Sequence, residues 1–214
     1  MYRKIWGLKQ LEKMQFPYPP YVVIDISGDA PTDVREYVLR KIREVGIPHI
    51  KDDRIGVTIR VSMPGDLDKV AKHGGLHVTG EEEVLKRVLE KHQQYKPHGK
   101  IIVQHTVDAR CSGTILKEKE CITAEAIFGD APPLLEGNVT NYEKWSFFLK
   151  IGRWKKERSY RYGDKEVAIL TLKELQTFEG YVQPLPCHTY LEWSISNSGN
   201  LYFYEYCKLK NEKQ

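Results

Sequence analysis

Long hydrophobic runs are missing from these 214 residues, and nothing approaches the ~20 apolar residues that a membrane span needs. The start, Met1-Tyr2-Arg3-Lys4-Ile5-Trp6-Gly7, has no apolar segment of the kind that opens a secretory signal. The expected compartment is therefore cytoplasmic. Cysteine is scarce: four residues, at 111, 121, 187 and 207, with no Cys-x-x-Cys pair. That spacing argues against a zinc ribbon or a dithiol redox motif. In a reducing compartment the four thiols are expected to be free and mostly buried. Charge of one sign is not in large excess either; a net +4 does not by itself imply a nucleic-acid partner. Internal repeats, low-complexity tracts and an obvious linker are all absent. What remains is a chain with 41% hydrophobic residues, ordinary for a globular protein and long enough for one large domain or two small lobes.

The elements that are present alternate in type. Residues 3–14 predict a short helix with Leu8, Leu11 and Met14 on one face, stopped by Pro17, Pro19 and Pro20. Tyr21 to Ile26 predicts a strand that ends at Ser27-Gly28-Asp29. An amphipathic helix starts at Thr32, with a stripe of Val34, Tyr37, Val38, Ile42 and Val45, and stops at Gly46. Ile55 to Val61 predicts a second strand. Thr79-Gly80-Glu81-Glu82 reads as a capping box before a helix with Val84, Leu85, Val88 and Leu89 inward. Lys100 to Val107 is a strong strand candidate, and Ser112–Leu116 with Cys121–Phe128 an antiparallel pair. Trp145 to Ile151 and Val167 to Leu170 are further strand candidates, and Thr171-x-x-Glu174 caps a short helix. Helices mixed with mostly antiparallel strands make the fold class α+β. The division expected is an N-terminal lobe over residues 1–100 and a C-terminal lobe over residues 101–214.

The richest segment is Leu191 to Glu205, two aromatic and β-branched runs around an Asn-Ser-Gly cluster. A loop of two residues (Ser198-Gly199) or four (Asn197 to Asn200) places Glu192 directly opposite Glu205; a three-residue loop shifts the register and separates them. Directly opposed carboxylates, roughly 5 Å apart at Cβ, repel by about 3 kcal/mol at an effective dielectric near 20. A divalent cation between them removes that cost, and a cation there suggests a phosphate ligand. Screening on a solvated face would remove it too.

Several segments, in order, resemble the nucleotide-binding region of the phosphoenolpyruvate synthase and pyruvate phosphate dikinase family. Counting back from Pro17-Tyr18-Pro19-Pro20 sets Lys4 on the lysine of the family's Gly-Gly-Lys-Gly-Ala-Asn-Leu segment. Thr58-Ile59-Arg60-Val61-Ser62 is similar to Val-Arg-Ser-Ser, with Arg60 as its arginine. Val103-Gln104-His105-Thr106-Val107 with Ser112-Gly113 is similar to Val-Gln-x-Met-Val … Ser-Gly-Val. Glu125-Ala126-Ile127-Phe128-Gly129 through Leu134-Leu135-Glu136-Gly137 resembles the family's Ala-x-Trp-Gly-Leu-Gly-Glu-x-Leu-Val-x-Gly run. Leu191-Glu192-Trp193-Ser194 followed by Glu205 resembles Ile-Glu-Trp-Ala … Gln-Ala-Arg.

The resemblance implies an ATP-grasp fold, two lobes with mixed or antiparallel sheets and a nucleotide cleft between them. It implies ATP and Mg²⁺ as cofactors and an ATP-dependent, kinase-like phosphotransferase activity. Lys4 and Arg60 would be the catalytic cations on the phosphates. Gln104, His105 and Val107 would form the hinge that meets adenine through backbone groups, Glu125 would contribute to the adenine or ribose pocket, and Glu192 and Glu205 would hold the metal. The paired glycine in His73-Gly74-Gly75 would offer backbone N–H groups to phosphates.

Some positions depart from the family. Arg3 and Ile5 flank Lys4 where the family has glycines. Glu205 replaces the metal-site glutamine, and Cys207 replaces the arginine two residues on. No Gly-Gly-x-Thr-x-His motif is present in these residues, and on the resemblance a separate protein subunit is an expected source of the phosphohistidine and pyruvate domains. A second reading is a non-catalytic regulatory or nucleic-acid-binding module on the same scaffold. Its support is the basic, aromatic stretch Lys150, Arg153, Trp154, Lys155, Lys156, Arg158, Tyr160 and Arg161; a solvated strand face is the plain alternative.

Overall fold

The computed structural model describes residues 1–25, 33–46, 54–65 and 78–209. The chain divides into two compact units, Met1–Gln10 with Tyr18–Asp108, and Leu11–Pro17 with Ala109–Gln214. The division falls after Asp108 rather than after residue 100, because the strand over Lys100–Val107 is the centre of the first unit's sheet. No helix among the described residues is long and apolar enough to cross a membrane.

The first unit contains β1 (Tyr21–Ile24), α2 (Val34–Val45), β2 (Arg54–Ser62), α3 (Glu81–Tyr95) and β3 (Lys100–Val107), after α1 (Arg3–Lys13). Its three strands are antiparallel in the order β1-β3-β2. Val57, Ile59, Val61, Ile101 and Val103 fall on one face by period-two alternation and pack with Val38, Leu39 and Ile42 of α2 and Val84, Leu85 and Val88 of α3. The other face carries Thr58, Arg60 and Ser62 beside Gln104, Ile102 and Lys100.

Helix ends differ in detail from the sequence expectation. Helix α1 stops before the prolines. Gln15 takes a left-handed conformation (φ 57°), and the N–H groups of Gln15 and Phe16 close on the Glu12 and Leu11 carbonyls. The N-cap of α2 is Asp33, whose carboxylate accepts from the Glu36 N–H at 3.0 Å; Thr32 lies outside the described residues. The capping box expected at Thr79 is not formed. Gly80, at φ 85°, occupies the N-cap of α3 and has no side chain to offer, leaving Glu81, Glu82 and Glu83 to complement the helix dipole.

The second unit is a six-stranded antiparallel sheet in the order β11-β10-β4-β5-β6-β7, formed by β4 (Ala109–Lys117), β5 (Cys121–Phe128), β6 (Glu143–Phe148), β7 (Arg153–Arg158), β10 (Thr189–Ser196) and β11 (Leu201–Lys208). A short helix α4 (Pro132–Leu135) follows β5, and a two-stranded ribbon, β8 (Tyr160–Tyr162) with β9 (Lys165–Val167), follows β7. Strand β9 ends at Val167 instead of continuing to Leu170; Ile169 and Leu170 are buried, and their N–H groups go to the Glu143 carboxylate. Helix α5 (Leu172–Val182) covers one face with Leu175, Phe178 and Val182. Its Phe178 ring lies 4.6 Å from that of Trp193, the largest fully buried side chain.

Candidate functional site

The hairpin of β10 and β11 does bring Glu192 opposite Glu205, by a route the sequence does not show. The loop is the three-residue one: Ser196 donates to the Asn200 carbonyl, and Gly199 to that of Ser196. With that loop Ile195 pairs Leu201 and Trp193 pairs Phe203, the register that would separate the two glutamates. A β-bulge between Trp193 and Glu192 then inserts Tyr204 as an extra residue, and the pairing resumes as Glu192 with Glu205. Glu205 is 5% exposed and Glu192 half-buried.

The register extends this pair across the sheet. Glu192 pairs Thr114 on β4, Thr114 pairs Glu125 on β5, Glu125 pairs Lys144 on β6, and Lys144 pairs Arg158 on β7. Directly paired residues point to the same face, so Glu205, Glu192, Thr114, Glu125, Lys144 and Arg158 form one cross-strand row. Glu192 and Glu125 are two strands apart, about 10 Å, and Lys144 lies 3.3 Å from Glu125. Beside the row, Tyr190 pairs Cys207, and the Tyr190 hydroxyl donates to Glu192 at 3.4 Å. Burial first, then the charges of Glu192 and Glu205, push the Tyr190 phenol well above its usual range. It stays protonated and serves Glu192 as a donor. Thr114, Lys144 and Tyr190 were not singled out from the sequence; Tyr190 follows from period two along β10, and Thr114 and Lys144 only from the β10–β4 and β5–β6 registers.

The opposite face fixes this row in place. Gly113 pairs Trp193, and a Cβ at Gly113 would fall 1.8 Å from the Glu125 carbonyl and 2.7 Å from the indole. The missing side chain is what lets the indole lie against β4. Arg110 bonds Glu174 of α5 and the Ile169 carbonyl, and Lys117 caps the end of α5 through the Gln183 and Leu185 carbonyls. Glu143 is fully buried and holds the N–H groups of Ile169 and Leu170, the Trp145 indole and, at 3.5 Å, Lys156.

Two opposed carboxylates fit magnesium, which takes few carboxylates and completes its shell with water and phosphate oxygens. No group of three or more His, Cys, Asp or Glu that would hold a metal occurs among the described residues. Cys207 is buried beside Tyr190 and supplies no charge where the family has arginine.

In the first unit, Arg60 lies on the sheet face away from α2 and α3, 3.4 Å from the Gln104 side-chain oxygen. Lys4 is buried, and its Nζ donates to the carbonyl of the next residue on β2, Val61, at 3.0 Å. The register brings Lys4, Arg60 and Gln104 into one neighbourhood. His105 points to the other face, where its Nε2 meets the Val45 and Gly46 carbonyls at the end of α2. The backbone of Gln104 is laddered to Tyr21 and Thr58, and the His105 N–H goes to the Pro20 carbonyl. The β1 ladder ends at Gln104, so Val107 lies beyond it. The phosphate loop expected at His73-Gly74-Gly75 lies outside the described residues.

The basic stretch forms the edge strand β7 and the ribbon after it. Its rings and cations are largely engaged with one another or with glutamates. Lys156 stands over the Trp145 ring at 4.8 Å, Arg158 over Tyr142 at 4.4 Å, and Trp154 packs on Phe147 at 5.4 Å. Lys150, Lys155 and Arg161 pair with Glu120, Glu157 and Glu166. All four cysteines are free; Cys111 and Cys207 are buried, Cys121 is half-buried and Cys187 exposed.

No protein-family model matches this chain, and no curated protein does. Solved structures do. It is similar to N5-carboxyaminoimidazole ribonucleotide synthetase in its ADP complex, with 11% identity and a TM-score of 0.53 over 99% of this chain and 45% of that one. It is similar to a dinucleotide-forming acetyl-coenzyme A synthetase from Ca. Korarchaeum cryptofilum, with 14% identity and a TM-score of 0.51 over 94% and 89%. A weaker likeness, TM-score 0.48 at 13% identity, joins 97% of it to 54% of D-alanyl-alanine synthetase A from Vibrio cholerae. The chain thus spans about half the length of two of these three proteins. At such identities the likeness is one of architecture: the α+β fold of this chain is ATP-grasp-like.

Proposed function

We propose that this protein binds ATP with magnesium and transfers a phosphoryl group, as a phosphotransferase or a ligase-like enzyme. The observation that carries the reading is the Glu192–Glu205 pair. A nearly buried carboxylate is held against a second one by a dedicated bulge, on the polar face of the sheet. Glu192 and Glu205 would hold the magnesium, which when bound neutralises charge on the phosphates. Tyr190 fixes the orientation of Glu192 by its hydrogen bond. In the first unit Arg60 and Lys4 supply cations for phosphate oxygens, and Gln104, His105 and Val107 serve the nucleoside end; Glu125, on β5 of the second unit, is proposed for the same end. The sequence motifs support the narrower relation to phosphoenolpyruvate synthase. On that relation a separate subunit would provide the phosphohistidine and pyruvate domains. Glu205 in place of the family's glutamine adds a charge to the metal site, and Cys207 in place of its arginine withdraws one from the transferred phosphate.

Thermal unfolding with ATP, with and without magnesium, tests this. Binding at a hundred times the dissociation constant stabilises a fold by about 2.7 kcal/mol. The expected result is a magnesium-dependent rise in Tm that Glu192→Gln diminishes. No rise at millimolar ATP in either condition removes the proposal and leaves the fold as it is.

A further inference from the structure

Two buried polar atoms on the Arg60 face of the first unit's sheet have no hydrogen-bond partner: Gln104 Nε2 and Ser62 Oγ. Gln104 is 1% exposed and Ser62 is fully buried. The large majority of buried side-chain polar atoms have a hydrogen-bond partner, and one without it carries its full desolvation cost; among the described residues the indole N–H groups of Trp154 and Trp193 share that state, each ring packed on a phenylalanine. Gln104 and Ser62 both flank one residue. Ser62 follows Arg60 by two positions on β2, on the same face, and Gln104 is the diagonal cross-strand neighbour of Arg60 on β3. The guanidinium is purely a donor, so the amide must turn its oxygen to Arg60, as it does at 3.4 Å, which leaves Nε2 as a second donor beside the first. Lys100 is directly opposite Ser62 and bonded to Asp25, and Lys4 Nζ is on the Val61 carbonyl. Two spare donors shielded from water beside a guanidinium are complementary to an oxyanion.

We infer that Gln104 Nε2 and Ser62 Oγ are ligand donors, which with Arg60 form an oxyanion subsite for the phosphate oxygens of a polyphosphate. The inference rests on the nucleotide reading for the source of that polyphosphate. It moves Gln104 from the adenine end, where a backbone contact was expected, to the phosphate end through its side chain. The backbone N–H and C=O of Gln104 turn toward β2, where it pairs Thr58, because the N–H of His105 turns the other way to the Pro20 carbonyl.

Calorimetric titration of the full chain with inorganic tripolyphosphate, ATP and adenosine, at fixed ionic strength, separates the outcomes. Gln104→Met keeps the length of the side chain and removes the amide; Ser62→Ala is the milder second variant. The expected result is a loss of about tenfold in tripolyphosphate and ATP affinity for each, the size of one hydrogen bond to a charged group, with Tm unchanged or raised. If the wild type binds tripolyphosphate but neither ATP nor adenosine, and the variants weaken it, the subsite stands and the nucleotide reading falls. If ATP and tripolyphosphate bind both variants as tightly as the wild type while Tm rises, the two atoms are unsatisfied core groups and the inference is overturned, with ATP binding intact. If tripolyphosphate does not bind the wild type at all, the inference fails as well.

Discussion

At Glu205, electrostatics runs against packing. Its carboxylate is 5% exposed and stands opposite Glu192, where two charges repel. Substituting a neutral side chain of the same shape removes that repulsion, and with it half of the proposed metal site. Glu205→Gln is therefore expected to raise stability in urea unfolding by about 1 kcal/mol without ligand while weakening the magnesium-dependent part of ATP binding. Opposite signs in the two measurements mark a residue kept for function. A substitution that lowers both would mean that Glu205 serves the fold alone. Glu143 is a second buried carboxylate, held by two backbone N–H groups, an indole and Lys156. Burial alone does not distinguish a structural glutamate from a functional one; the paired measurement does.

Helix α5 is the element on which the row of charged residues leans, because Phe178 backs Trp193, the neighbour of Glu192. Its start is held twice. Thr171 and Glu174 make a reciprocal capping box, and Glu174 also bonds Arg110 on β4. Thr171→Ala is expected to cost about 1 kcal/mol, the usual worth of an N-cap. Glu174→Ala should cost about twice that, since Arg110 loses its partner too. In a double-mutant cycle with Arg110→Met the Glu174 penalty should shrink; additive losses would show that the Arg110 bond contributes nothing. This capping box was legible in Thr171-x-x-Glu174, as were the strand over 100–107, the β4–β5 pair and the stripe of α2, because each is written in local periodicity or in a cap two or three residues away. The Tyr204 bulge was not. No residue type demands it, and the three-residue loop alone points to the wrong register. The edge strand β7 was legible only as a solvated strand face without bounds: four of its six residues are cationic, and its alternation shows once Trp154 and Lys156 are seen to pack on Phe147 and Trp145. Of the candidate site, the pair Glu192 and Glu205 was legible as residue types, and Tyr190, two residues before Glu192 on one strand, shares its face by period two. Thr114 and Lys144 depend on long-range register, which local sequence does not carry.

Whole-molecule stability at alkaline pH depends on acids that the fold keeps protonated, with Cys111 and Tyr190 more deeply held than Cys121. Burial pushes the Cys111 thiol up from its ordinary value to about 12, and burial together with Glu192 and Glu205 pushes the Tyr190 phenol up as well. In the unfolded chain the thiol loses its proton near pH 9, while the folded chain retains it. Between these values the unfolded state binds fewer protons, so stability declines as pH rises through that window and is fully present below it. One fully buried group contributes a slope of about 1.4 kcal/mol per pH unit, and Tyr190 adds to it once the unfolded phenol ionises near pH 10. Urea unfolding at pH 7, 9, 10 and 11 should therefore show a falling midpoint. Cys111→Ala should start lower at pH 7, from the lost packing, and then decline less steeply, so that the two curves converge toward alkaline pH. Parallel curves would show that the thiol ionises alike in both states.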